Sequence, residues 1–293
     1  MSKKVATIGF FDGVHKGHRF LIRQLLDSAI EKDAESMVVT MSPHPRSVLQ
    51  PGFQPMLLTS LEEKVNLLHN AGIEHVEVLP FTRELSALTA KAFMENILSK
   101  QLQISTLIMG YDHRFGHGGG TFEEYMAWGK ETGIEVVLAK QFPNEHVSSS
   151  AIRKLLAAGD VEKASAMLNR PYELCGRVVG GYKVGRTLGF PTANLQADGD
   201  RLVPGSGVYA VWVELPDGKR FKGMLNIGRR PTLANGDGVS IEVHLLHFSG
   251  DLYNLSLKVF FMNKLREECR FGSLEELKAQ LQQDALCAEQ LLG

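Results

Sequence analysis

The apolar pattern of this chain changes period once, and that change limits the folds open to it. Up to about residue 145, short apolar runs alternate with segments of helical period. The runs are Val5 to Phe10, Ser36 to Met41, His75 to Leu79, Ser105 to Gly110 and Glu135 to Ala139. Such alternation is the sequence form of repeated βαβ units around a parallel sheet. Between the runs, Leu21, Ile22, Leu25, Leu26, Ala29 and Ile30 form one helical stripe, and Ser60 with Glu63 has capping-box spacing ahead of a second helix. Thr89 to Leu98 and Thr121 to Thr132 read as two more helices, and Ser150 to Leu168 is helical again until Arg170-Pro171 breaks it. Beyond that break the pattern becomes short runs rich in β-branched and aromatic residues: Glu173 to Val179, Val208 to Leu215, Phe221 to Ile227, Ile241 to Phe248 and Leu255 to Phe261. Pro216-Asp217-Gly218 joins two of them as a tight turn. The chain therefore reads as an α/β domain over residues 1–170 and a mainly antiparallel β domain, barrel or sandwich, over 171–293. A terminal helix, capped by Ser273 and Glu276, closes the second.

A length of 293 residues accommodates two such cores, and 44% hydrophobic with 22% charged residues is the composition of folded protein. Lys plus Arg number 32 against 33 Asp plus Glu, so the bulk charge offers nothing to a nucleic acid or an anionic membrane. No apolar stretch is long enough to span a bilayer, and the apolar run Val5 to Phe11 stops at Asp12, unlike a cleaved signal. A cytoplasmic protein is expected, a monomer or at most a weak homo-oligomer, with small molecules as its partners. Cys175, Cys269 and Cys287 lie far apart, which argues against a disulfide framework or a zinc site.

Gly9-Phe10-Phe11-Asp12-Gly13-Val14-His15-Lys16-Gly17-His18 runs from the first strand into the first helix. Open α/β sheets bind ligands at such a place, and a helix N-terminus offers free N–H groups and a positive dipole end to a phosphate chain. His15 and His18, three residues apart, can face one anion from the first turn, and Gly17 lets the backbone come close. A bare H-x-x-H is compatible with two surface histidines. A zinc pair finds no third ligand at suitable spacing. Val147-Ser148-Ser149-Ser150-Ala151-Ile152-Arg153-Lys154 opens a later helix. Its Ser149 and Ser150 hydroxyls and the planar cation of Arg153 suit phosphate oxygens, or else simply cap and solvate that helix.

In the second half, Gly180 to Thr187 nearly satisfies G-x-x-x-x-G-K-[ST]. Arg186 stands where that motif needs lysine, and Pro191 forbids the helix a P-loop enters. The stretch is a glycine-rich flap, with Gly181, Lys183 and Gly185, followed by Pro191-Thr192-Ala193-Asn194. Further on come Gly223-Met224-Leu225-Asn226-Ile227-Gly228, then Ile241-Glu242-Val243-His244, then Leu265-Arg266-Glu267-Glu268-Cys269-Arg270-Phe271. Glu242 alternates with apolar neighbours and so points to one face of its strand.

Taken in order, these motifs resemble those of the bifunctional riboflavin kinase/FMN adenylyltransferases, the prokaryotic FAD synthetases. The H-x-G-H and S-S-S-x-I-R elements resemble the nucleotidylyltransferase signature. Gly110 to Gly116 and Ser42-Pro43-His44-Pro45-Arg46 are similar to two flavin-branch loops, with His113 where the family pattern has a first aromatic. The resemblance implies a Rossmann-like domain followed by a six-stranded barrel. It implies ATP-dependent phosphorylation of riboflavin to FMN and adenylylation of FMN to FAD with loss of pyrophosphate. Gly9, Phe10, Asp12, His15, His18, Ser149, Ser150 and Arg153 would then meet one ATP, with His44 and Asp112 at FMN. In the barrel, Gly181, Lys183, Gly185, Thr192 and Asn194 would meet a second ATP, and Thr192 and Asn194 would hold Mg²⁺, a hard cation suited to oxygen donors. Glu242 would be the general base for the riboflavin hydroxyl. Arg266 would touch riboflavin or else pair with Glu267 or Glu268 on the surface. Two rival readings remain open: only one half is active, or the chain is a flavin-binding regulator without turnover.

Overall fold

A computed structural model describes residues 3–50, 52–54, 56–110, 113–143, 146–180, 188–230 and 238–293. By internal contacts the chain forms two compact units, Met1–Ser149 and Ser150–Gly293.

The first unit is built on five parallel strands: β1 (Lys4–Ile8), β2 (Glu35–Ser42), β3 (His75–Pro80), β4 (Ile104–Met109) and β5 (Glu135–Leu138), in the order β3-β2-β1-β4-β5. The five apolar runs expected to be strands are these five. Successive strand residues point to opposite faces, so a sheet covered on both sides needs apolar residues at every position. Val5, Val38 and Ile108 pack with Ile22, Leu25 and Leu68 on one face. Ala6, Met37, Val39 and Leu107 pack with Phe93, Met94 and Leu98 on the other.

Helix α1 (Lys16–Glu31) follows β1, and a short α2 (Pro45–Leu49) follows β2, capped by His44. Helix α3 (Leu61–Asn70) begins with the expected capping box, in which Ser60 and Glu63 bond reciprocally. A further short helix, α4 (Arg83–Ala87), carries no apolar period that would announce it. The segment expected as one helix from Thr89 divides into α5 (Ala90–Phe93) and a π-helical turn, Met94–Gln101, which widens the coil where Met94 and Leu98 meet the sheet. Helix α6 (Phe122–Thr132) has a second capping box, Thr121 with Glu124, and ends at left-handed Gly133. The strand order reverses on either side of β1, so the loops after β1 and β4 flank the crevice at the carboxyl edge of the sheet.

The second unit opens with α7 (Ser149–Ala157) and α8 (Val161–Leu168). The unit boundary thus lies earlier than the Arg170-Pro171 break expected from the pattern. The reason is packing: Gly205 N–H donates to Leu156 at 2.8 Å, and Glu162 accepts from the Lys264 N–H at 3.1 Å, which tie both helices to the β domain. Six strands follow: β6 (Tyr172–Val179), β7 (Ala193–Ala197), β8 (Gly207–Glu214), β9 (Arg220–Arg230), β10 (Gly238–Leu245) and β11 (Ser256–Arg266). They close as a barrel in the order β10-β7-β6-β11-β8-β9. Of the two options left by the pattern, barrel and sandwich, the barrel is the one formed. Register shifts in the β11 to β8 pairing supply the curvature that closure needs. The expected turn at Pro216-Asp217-Gly218 is made with Gly218 at φ 82°. Helix α9 (Leu274–Leu291) is capped by Ser273 and lays Ala288 beside Ala210 and Leu246.

Gly129 tests this packing against intrinsic propensity. Alanine inside a helix ordinarily stabilises by about 1 kcal/mol relative to glycine. Here a Cβ would stand 2.4 Å from the carbonyl oxygen of Ile134 and 2.7 Å from Val136 Cγ2. We therefore expect Gly129→Ala to destabilise the first unit by about 1–3 kcal/mol in equilibrium urea unfolding, the cost of overpacking. A raised midpoint would contradict the close approach of α6 to β5.

Candidate functional sites

The loop after β1 is shaped from beneath. Asp12 is buried, and its carboxylate accepts from the backbone N–H of Leu58 (3.0 and 3.1 Å) and Thr59 (3.1 Å) and from the Thr59 hydroxyl (3.2 Å). Gly13 N–H in turn donates to Thr59 Oγ1 at 3.1 Å. These bonds hold Phe11 at φ 55° and Val14 at φ 39°, left-handed values that cost a β-branched or bulky residue energy and survive only where the surroundings impose them. Asp12 is thus engaged with the protein itself and shapes the cradle. Gly9 is required by contact, because a Cβ there would stand 2.9 Å from the Phe11 ring.

The payoff of this backbone is the pair of imidazoles. His15 caps α1, and the His18 N–H donates to its Nδ1 at 3.4 Å. In that cap Nδ1 accepts, which leaves Nε2 as the ring nitrogen able to donate. The two rings stack with centroids 3.7 Å apart and planes at 16°. Burial, and then the neighbouring charges of His15, His113 and Lys64, hold the His18 imidazole well below the usual histidine range. His18 Nδ1 is buried with no hydrogen-bond partner. Gly17 is placed so that a Cβ would press on the His15 ring at 3.2 Å, so the pair's packing depends on a glycine there.

Three other segments reach the same edge. Ser149 Oγ donates to the Asp12 carbonyl at 2.9 Å. Ser150 and Arg153 follow on α7, beyond the unit boundary. His44 Nδ1 accepts from the Arg46 N–H at 3.1 Å, and its ring meets Phe10 edge-on at 4.4 Å. His113 packs toward Phe115 at 6.2 Å and is close enough to His18 for its charge to be felt there, a neighbour that the motif reading did not anticipate. Asp112 lies outside the described residues.

In the barrel, β7 and β10 pair with Asn194 directly opposite Glu242. Thr192, just before β7, brings its hydroxyl to 3.5 Å from Glu242 Oε2. The three residues, read from two separate motifs, thus converge. Two cavities meet at Thr192. One, of about 580 Å³, is lined by Asn194, Phe248, Asp251 and Tyr253; the other, of about 290 Å³, by Glu242, His244, Arg266, Phe271 and Asp284. Arg266 Nη1 donates to the Glu267 carbonyl at 3.0 Å, but its ion pair is with neither the Glu267 nor the Glu268 carboxylate. Its guanidinium grips Asp284 of α9 with bonds of 2.8 to 3.1 Å, lies 5.6 Å from the Phe271 ring, and still borders the smaller cavity. His244, which was not singled out as a site residue, bonds through Nδ1 with the Pro191 carbonyl at 2.8 Å and packs on Phe190. Its placement two residues from Glu242 on the same strand face was the available signal. Gly181, Lys183 and Gly185 lie outside the described residues.

Among the described residues, no group of three or more His, Cys, Asp or Glu side chains could hold a metal ion, and all three cysteines are free. No helix there is long and apolar enough to cross a membrane.

Comparison with known proteins agrees with this division. A family model described as FAD synthetase matches residues 1–151, and one described as riboflavin kinase matches residues 168–292. The chain is 39% identical over 292 residues to the bifunctional riboflavin kinase/FMN adenylyltransferase of Escherichia coli K12, covering 99% of this chain and 93% of that one. It is 41% identical to the protein of that name from Pseudomonas fluorescens over 290 residues, 98% of this chain and 92% of the other. The crystal structure of a macrolide-efflux protein from Streptococcus pneumoniae superposes with a TM-score of 0.90 at 28% identity, over 98% of this chain and 94% of that one. With two enzymatic family models tiling it in order and relatives of this identity along its length, the chain belongs to the bifunctional riboflavin kinase/FMN adenylyltransferases.

Proposed function

We propose that residues 1–170 adenylylate FMN to FAD and residues 171–293 phosphorylate riboflavin to FMN, each with ATP as the second substrate. The observation that carries the kinase half is the register that sets Glu242 opposite Asn194 with the Thr192 hydroxyl alongside, where two cavities meet. One cavity suits a nucleotide and the other a flavin. Glu242 accepts the proton of the riboflavin 5'-hydroxyl as that oxygen attacks the γ-phosphorus of ATP, and ADP leaves. The Arg266 to Asp284 pair, with Phe271 beside it, stiffens the wall that faces the flavin.

Thr192 and Asn194 fit Mg²⁺ chemically: both offer neutral oxygen donors, and Glu242 adds charge nearby. When bound, the ion neutralises phosphate charge. In the first unit, the FMN phosphate attacks the α-phosphorus of ATP and pyrophosphate leaves. Such a transfer needs alignment and charge stabilisation rather than a protein nucleophile. The His15 to His18 stack and the first turn of α1 supply donors for that charge, Ser149 closes on the loop, and His44 takes the flavin side. The small-molecule substrates fit a cytoplasmic enzyme acting as a monomer or weak homo-oligomer, with neither nucleic acid nor membrane as partner.

Purified protein given ATP, Mg²⁺ and either riboflavin or FMN, with products separated, should make FMN from the first and FAD from the second. Riboflavin converted to FMN and no further would leave one active half. Glu242→Gln should lower riboflavin phosphorylation by about 10²–10⁴-fold while FMN adenylylation stays within about twofold. His18→Ala should do the reverse, lowering FAD formation by about 10²–10³-fold. Equal loss of both reactions in either folded variant would contradict the assignment.

The depressed His18 also predicts a pH signature. An unfolded histidine titrates near about 6.5, whereas the folded ring takes a proton only at lower pH. The unfolded chain therefore binds more protons in that interval, so stability is fully present above the unfolded value and declines as pH falls toward the folded one. An NMR titration of the histidine rings should find His18 neutral through pH about 6.5. A normal titration would sink this account.

A further inference from the structure

Lys64 is a buried lysine that neither phosphate chemistry requires. It lies on α3 one residue past the capping box and is 3% exposed, where lysine is almost never found unless its charge is answered. Its Nζ donates to the Phe10 carbonyl at 3.1 Å, the Thr40 hydroxyl at 3.0 Å and the Met41 carbonyl at 3.3 Å. It also sits 4.2 Å from the centroid of the Phe10 ring. An ammonium has three N–H donors, and all three are committed here. The group has none left for a substrate anion.

What those acceptors belong to gives Lys64 its meaning. Phe10 is in the loop that leads from β1 to the paired histidines, and Met41 is at the end of β2, where the His44 loop begins. Thr40 Oγ1 reinforces the link by donating to the Phe10 carbonyl at 3.1 Å, and the Phe10 ring packs against His44. One ammonium therefore ties together the two loops assigned above to ATP and to FMN. We propose that Lys64 is the positioning residue of the adenylyl transfer, holding the nucleotide loop and the flavin loop in register so that the FMN phosphate meets the α-phosphorus in line. This rests on the reading of the first unit as the FMN adenylyltransferase.

The charges around it add a way to see this. Asp12 from the loop after β1 favours the charged form, His18 of α1 is the neighbouring base, β2 contributes only neutral oxygens, and Glu63 beside it on α3 is bonded to Ser60. Burial outweighs Asp12 and brings the ammonium down to about 8. Above that pH the amine keeps two donors for three acceptors and loses its attraction to the Phe10 ring. Adenylylation should then fall. Folding stability should not fall with it: the unfolded lysine titrates near about 10.4, so this group's contribution to stability rises with pH between the two values. A general structural weakness would move both together.

The test uses the full chain, with riboflavin phosphorylation by the same molecules as the internal control. FAD formation from FMN and ATP is followed from about pH 6 to about pH 10, alongside thermal unfolding. Wild type should show an alkaline limb near pH 8 in kcat for FAD formation, with no matching drop in stability. Lys64→Met should lower kcat about tenfold to a hundredfold and abolish that limb, with kinase activity within about twofold. Lys64→Arg, charged at every pH tested, should retain part of the activity and also lose the limb. Should Lys64→Met fail to fold, Thr40→Val removes one of the three acceptors and should lower FAD formation several-fold with a displaced limb. Unaltered FAD formation in folded Lys64→Met, or a limb that persists in it, overturns the proposal; so does an unaltered Thr40→Val profile. Wild type that makes no FAD removes the underlying reading, and a wild type that makes FAD beside an indifferent Lys64→Met removes this inference alone.

Discussion

The buried carboxylate of Asp12 is the interaction on which the first unit's site depends. A carboxylate taken out of water costs several kcal/mol unless hydrogen bonds replace its hydration, and here the backbone of Leu58 and Thr59 and the Thr59 hydroxyl do so. Because those donors precede α3, the acid clamps the loop after β1 to the start of another helix. The clamp sustains the left-handed Phe11 and Val14, and those two turns bring His15 to the N-cap of α1 with His18 stacked on it. Lys64 then works on the other end of the same loop from the same helix. The sequence segment from Leu58 to Lys64 thus governs the shape of the loop after β1 that carries the paired histidines.

The barrel reaches its arrangement by a different route, through strand register. In an antiparallel pair, slipping by one residue moves every side chain to the opposite face. The pairing of Glu242 with Asn194, and of Val243 with Ala193, is held because Val243 is fully buried and cannot change faces. The apolar alternation of β10 therefore fixes where its single acid points. Burial of the core and placement of Glu242 are one constraint.

Much of this was legible in the sequence, and the exceptions have physical causes. The five parallel strands and the capping boxes at Ser60 and Thr121 are local patterns, and local patterns survive into the fold. Strand β7 was not read as a strand because Pro191-Thr192-Ala193-Asn194 lacks a β-branched run; its pairing with β6 and β10 makes it one. The structural roles of Asp12 and Lys64 are not readable in the sequence, since their partners are 23 to 54 residues away and no periodicity links them. Arg266 had two acidic neighbours in sequence, yet strand geometry turns it toward Asp284, 18 residues on. The place of the compact-unit boundary likewise follows long-range bonds of α7 and α8, which the Arg170-Pro171 break does not encode.

The two sites also use opposite electrostatic means for related reactions. Kinase chemistry deprotonates a hydroxyl, so a carboxylate that stays charged belongs beside the attacking oxygen. In adenylylation the nucleophile is already an anion, and a second negative charge near it would hinder approach. The first unit places Asp12 inside the protein, answered by hydrogen bonds, and carries imidazoles and helix N–H groups at the end of β1. Burial, with the neighbouring positive groups, holds the His18 imidazole below the usual histidine range, which disfavours two stacked cations. In the proposed adenylylation site a phosphate chain would shift that balance by stabilising a protonated His18 ring.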